Sequence, residues 1–153
     1  MSLTNYSLYS VPAVWLVGIG VHWQAIFLSK SSKEIPEFDN VSPRQFVVRM
    51  SELARTSKDA AKFLRIEAAQ QNIFENLGWY AAAIVAGNIA RLPVKTLNTI
   101  AASYVASRLL YSVLYANTTS AKYAALRSVT FLSSVGLTFT TFIKAGNALN
   151  RLY

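Results

Sequence analysis

Long apolar stretches separated by short polar ones dominate the chain. From Leu8 to Leu28 (LYSVPAVWLVGIGVHWQAIFL) there is no Asp, Glu, Lys or Arg. That stretch has the ~20 residues a helix needs to cross ~30 Å of hydrocarbon. No positive charge precedes it and no clear small-residue cleavage site follows, so it reads as a retained span rather than a removed leader. Tyr6, Tyr9, Trp15 and Trp23 suit anchoring at a membrane–water interface.

Lys30 to Lys58 is polar, carries Pro36 and Pro43, and reads as the substantial loop. Within it, Gln45 to Leu53 reads as a short helix or as the extramembrane start of the next long one. Asp59 to Leu92 reads as one helix in two halves. The first half, AAKFLRIEAAQQNIFEN, sets Arg65, Asn72 and Glu75 at steps of seven and three, a helical face that also holds Ala68. The second, LGWYAAAIVAGNIA, is apolar and rich in small residues, which suits close packing in lipid. A third helix is expected from Val94 to Ala116 and a fourth from Tyr123 to Ala148. The short Asn117–Lys122 link makes these two antiparallel neighbours. Gly136 and Gly146 are the fourth helix's candidate packing positions. The expectation is an all-α integral membrane protein, a single-domain four-helix bundle with spans of about 8–28, 60–92, 94–116 and 123–148.

Composition supports lipid as the solvent. The chain of 153 residues is 53% hydrophobic and only 14% charged, against roughly 25% charged in average soluble domains. A domain this small cannot bury all that apolar surface in an aqueous fold. The net charge of +8 raises the question of nucleic acid. However, every acidic residue lies between Glu34 and Glu75, and the later basic residues are spread singly from Arg91 to Arg151. No basic run or nucleic-acid motif is present, so no nucleic-acid partner is expected. The Lys30–Lys62 region and the Lys122–Arg127 turn hold most basic residues. The positive-inside rule then puts both in the cytosol and both termini on the far side, with Arg91, Lys95 and Arg151 against the trend. There is no cysteine and only one histidine, His22. A protein disulfide or cysteine nucleophile is therefore excluded, and no metal site is expected.

Ionisable groups at membrane depth are costly and usually functional. The candidates are Arg65, Glu75, Arg108 and Arg127. For Arg65 and Arg127 the plain alternative is snorkelling to head groups from near helix ends. For Glu75 and Arg108 it is a buried ion pair between the second and third helices. Arg108, Tyr111 and Tyr115 share a face of the third helix at spacings of three and four. They read either as an aromatic packing stripe or as a clamp for carboxylate and amide. Arg127 and Ser128, at the start of the fourth helix, suit a bound anion. A thiolate is one such anion, and positive charge lowers a thiol's pKa. Glu75 suits a ligand's ammonium group, and Asn72 a peptide amide. Together these groups suit a small zwitterionic peptide.

The segment Arg65-Ile-Glu-Ala-Ala-Gln-Gln-Asn72-Ile-Phe-Glu75-Asn76-Leu resembles the second-helix signature of the MAPEG proteins, the membrane-associated proteins of eicosanoid and glutathione metabolism. Arg108-Leu-Leu-Tyr111-Ser-Val-Leu-Tyr115 is similar to that family's third-helix pattern, and Arg127-Ser128-Val-Thr-Phe131 to the start of its fourth. The closest likeness is to the fungal microsomal glutathione S-transferase-like branch. The resemblance implies a homotrimer in the endoplasmic reticulum membrane. It implies glutathione as co-substrate at subunit interfaces near the cytosolic face, and a lipophilic substrate arriving from the bilayer. It assigns glutathione binding to Arg65, Asn72, Glu75, Arg108, Tyr111 and Tyr115, and thiolate stabilisation or proton transfer to Arg127 and Ser128. Ala68 and Gln71 stand where glutathione-using members carry arginines, Gly78 replaces a usual proline, and Phe131 replaces a tyrosine of some members. The implied activity is glutathione-dependent transfer or peroxide reduction. A glutathione-independent isomerase or cyclase, and a lipid-binding scaffold, are the alternatives.

Overall fold

A computed structural model describes residues 3–152, and among these the secondary structure is entirely helical. A short 3-10 turn, Ser7–Tyr9, leads into α1 (Ser10–Ser31). Then follow α2 (Pro43–Leu53), α3 (Lys58–Ile89), α4 (Val94–Asn117) and α5 (Ala121–Leu149). The long helices α1, α3, α4 and α5 form a bundle with α3 at its centre, packed against each of the other three.

The segment Gln45–Leu53 belongs to a separate helix, not to the start of α3. Pro43 opens α2, since a proline at the first turn forgoes no intrahelical bond. The chain then breaks at Ala54–Ser57 and restarts where the Ser57 side chain accepts a hydrogen bond from the Ala60 amide at 3.2 Å. α2 docks through buried Phe46 and Met50. Phe46 lies 5.3 Å from Phe63 and 5.2 Å from Phe38, an edge-to-face cluster that pins the polar segment to the base of α3.

The bundle interior holds Val14, Phe63, Ile66, Ile73, Ile84 and Tyr104, yet its outer surface is apolar as well, which a soluble bundle's is not. α5 turns Ser134, Thr138, Thr141 and Ala145 inward at spacings of four and three, while Val129, Leu132, Phe139 and Ile143 are exposed. The inward hydroxyls satisfy themselves on their own helix: Thr138 donates to the Ser134 carbonyl at 3.0 Å and Thr141 to that of Leu137 at 2.9 Å. Small residues here let backbones approach, as packing in lipid requires. Two segments, Ser7–Ser31 and Tyr123–Leu149, are long and apolar enough to cross a membrane, and only 17% of each one's most apolar window is buried. α3 and α4 do not meet that standard. Tyr6, Tyr9, Trp15 and Trp23 are all exposed, as interface anchors must be.

The glycines that do the packing are Gly18 and Gly87, whereas Gly136 and Gly146 face nothing within 4 Å. A Cβ on Gly87 would lie 2.8 Å from Leu97 Cδ2 and 3.2 Å from Thr141 Cγ2, at the meeting of α3, α4 and α5. Leu97 and Thr141 are both buried and have little room to retreat. Gly87→Ala should therefore destabilise the fold by about 1–3 kcal/mol, the usual cost of overpacking. Thermal unfolding in detergent measures this, and a melting temperature equal to the parent's would show that the contact yields freely.

Candidate functional site

On α4, Leu97, Ile100, Tyr104, Arg108 and Tyr111 are buried at spacings of three and four, so the helix turns one continuous stripe inward. Arg108 is fully buried. Its Nη1 donates to Asn72 Oδ1 on α3 at 3.2 Å. Its Nε and Nη2 have no hydrogen-bond partner among the described residues. The guanidinium instead sits among aromatic rings, 5.1 Å from the centroid of Tyr104, 5.4 Å from Tyr111 and 5.5 Å from Phe131. Such contacts partly offset the cost of burying a cation. The ion pair with Glu75, the plain alternative to a ligand role, is not formed among the described residues. Glu75 is exposed and accepts a hydrogen bond from Gln71 Nε2, one turn earlier on its own helix, at 2.8 Å.

In front of Arg108 lies an open pocket of about 380 Å³ between α3, α4 and α5. Asn72, Tyr111, Tyr115, Arg127, Ser128 and Phe131 line it. The tight α4–α5 turn brings the second half of α4 beside the first turns of α5, so Arg127 lies over the Tyr115 ring at 4.3 Å. Tyr111 and Tyr115 contact edge to face at 5.5 Å. Ser128 makes only a long 3.4 Å bond to the Ala124 carbonyl, so its hydroxyl is available to a ligand. The pocket thus offers one guanidinium, two phenols, a hydroxyl and a carboxamide, with a second guanidinium behind. That donor set suits a carboxylate or thiolate carried by a molecule with amide groups. Arg108 is fully buried and not part of the lining, so a ligand reaches its unpartnered Nε and Nη2 only by displacing a lining side chain, while the lining donors themselves fit a glutathione-like ligand.

Arg65 and Glu75 stay outside the lining. Arg65 Nε donates to the Ala116 carbonyl at 3.3 Å, which ties α3 to the C-terminal turn of α4. Sequence reasoning placed both on the Asn72 face, but only the packing of α4 and α5 decides which part of that face opens into the pocket. It also missed Tyr104, which anchors Arg108 from below and stacks on Tyr80 at 3.6 Å between centroids. A further polar pair went unnoticed: His22 Nδ1 on α1 and Glu67 Oε1 on α3 lie 2.7 Å apart, half-buried. Its signal was present in His22, the single histidine, which lies within a span free of Asp, Glu, Lys and Arg and so calls for a partner.

A helical bundle apolar on its outer surface, with two helices long and apolar enough to cross a membrane, describes a membrane protein, and this one carries a cationic, phenol-lined pocket near one end. Residues 9–147 match the model of the MAPEG family, and the chain belongs to that family. Members typically use glutathione, and the family includes glutathione transferases and related enzymes. No curated protein and no solved structure matches the chain.

Proposed function

We propose that the protein is a membrane-bound glutathione-dependent transferase or peroxidase acting on lipophilic electrophiles, and the carrying observation is the pocket itself. Asn72, Tyr111, Tyr115, Arg127 and Ser128 come from three helices to one opening, with Arg108 unsatisfied behind it. Glutathione supplies the thiol nucleophile. Arg127 and Ser128 hold that sulfur as thiolate by charge and by hydrogen bonding. Asn72 and the phenols of Tyr111 and Tyr115 orient the peptide, and Arg108 gives its carboxylate a partner. The apolar walls at Phe131 and Leu132 accept the electrophile from the bilayer.

On this reading α1, α3, α4 and α5 each span the endoplasmic reticulum membrane. The Lys30–Lys62 region and the α4–α5 turn are cytosolic, and both termini are lumenal. The functional unit is a homotrimer. Exposed Glu75 and partly exposed Arg65 lie beside the pocket of their own chain, where a neighbouring subunit's ligand can reach them. Gln71 occupying Glu75, and Ala68 in place of a cation, favour a second reading: a glutathione-independent isomerase or cyclase on the same scaffold. A non-catalytic lipid-binding scaffold has less need of a buried Arg108.

Calorimetry with glutathione on the detergent-purified protein is the test. Binding in the micromolar-to-millimolar range, weakened about tenfold or more by Arg127→Ala, is expected from the loss of one charged hydrogen bond. No heat from well-folded protein would reject the glutathione reading and promote the second.

A further inference from the structure

The opposite end of the bundle carries a second pocket, of about 410 Å³, where the end of α3, the start of α4 and the end of α5 meet. Lys144 lies 17 residues after Arg127 along α5, about 26 Å at the helical rise. Arg91, Lys144 and Arg151 line this pocket together with Thr96, Asn147 and Leu92. No Asp or Glu follows Glu75 in the sequence, and among the described residues none of the three cations forms a salt bridge. The first turn of α4 opens beside Thr96 with Pro93 as its cap residue, no capping side chain and no acidic residue, so its amides point outward unpartnered.

Arg91 lies just past the end of α3. The Leu92 amide bonds back to the Gly87 carbonyl and the Arg91 amide to that of Asn88, each at 3.0 Å, the hydrogen-bond pattern that ends many helices on glycine. Here the left-handed position, φ 52°, holds an arginine, the non-glycine residue with positive φ among those described. Glycine is favoured at this position, so the arginine strains the backbone there.

We infer that this pocket binds the phosphate headgroup of an anionic membrane lipid. The chain is a membrane protein, so a pocket at the end of its bundle lies at headgroup depth. Three cations and a helix N-terminus suit a phosphate. Exposed Ile89 and Ile143, next in sequence to lining residues Ala90 and Lys144, give the adjoining outer surface an apolar face, where acyl chains lie. A lipid brings both parts, and inorganic phosphate brings only one.

The test uses the full chain in detergent, with dioctanoyl phosphatidylglycerol, dioctanoyl phosphatidylcholine and inorganic phosphate as probes. Thermal shift and lipid retention in native mass spectrometry are the readouts. The anionic lipid is expected to raise the melting temperature by several degrees at concentrations where the zwitterionic lipid and phosphate do not. The double change Lys144→Gln with Arg151→Gln should weaken that response about tenfold or more, since each removes a charge-assisted hydrogen bond to the phosphate. Arg91→Gly should melt higher without lipid, because the strain is relieved, yet respond less to lipid. Unchanged responses in these variants, an equal response to phosphatidylcholine, or phosphate matching the lipid would overturn the inference.

Discussion

Replacing Arg127 with alanine is expected to lower glutathione-dependent turnover by about a hundredfold or more while hardly changing the melting temperature. Arg127 lines the open pocket and is not part of the core, so its fold contribution is mainly the contact with the Tyr115 ring at 4.3 Å. At a partly exposed site such a contact is worth about 0.5–1 kcal/mol. Its catalytic contribution is larger. A positioned donor that meets a developing anion is typically worth 10²–10³ in rate. Arg127→Lys should recover part of the loss, because the charge returns but the planar fork that stacks on Tyr115 does not. Steady-state kcat/KM with an aryl halide electrophile, read beside thermal unfolding, separates the two effects. Turnover that falls only in step with folded yield would remove Arg127 from the chemistry.

Arg108→Met is expected to make the ligand-free protein more stable and the ligand-bound one weaker. Arg108 is fully buried, has one hydrogen bond to Asn72, and leaves Nε and Nη2 without partners. Exchanging buried charges for apolar side chains of similar volume often gains about 1–4 kcal/mol. Methionine has comparable length and adapts well to aromatic surroundings, here Tyr104, Tyr111 and Phe131. Glutathione affinity should fall about tenfold or more, since charged hydrogen bonds are worth about 1.5–3 kcal/mol each. Glutathione should therefore raise the melting temperature of the parent but not of the variant. A destabilised variant that binds as before would show Arg108 to be structural.

Much of the fold was legible in the chain. Spans one and four announce themselves because a helix that meets lipid on most of its surface is apolar over most of its length. The helices α3 and α4 were legible for a different reason: their polar residues recur at helical spacing, and of the Arg108, Tyr111 and Tyr115 face on α4 the first two are buried and the third half-buried. The break between α2 and α3 was left open, because Gln45–Leu53 and the following residues are both helix-compatible. The docking of Phe46 on Phe63 and the Ser57 cap decide it. The glycine assignments failed on the same point. Sequence identifies a residue without a side chain, but only the neighbouring helix shows whether anything approaches it.

The candidate site divides in the same way. The identity of its donors, and the nearness of Arg127 to Tyr115, follow from helical periodicity and from a turn too short to separate α4 from α5. Periodicity is a local property, so those features are written in the chain. Which of the donors converge is not. Arg65, Asn72 and Glu75 are near neighbours on one face, yet Asn72 alone of them lines the pocket, Arg65 holds the end of α4, and Glu75 stays on the surface. That outcome depends on where α4 and α5 cross α3, a tertiary relation set by packing at residues such as Gly87, Leu97 and Thr141. The same packing leaves Arg108 buried without a counter-charge, because Glu75, its nearest acidic match by sequence, points out of the bundle.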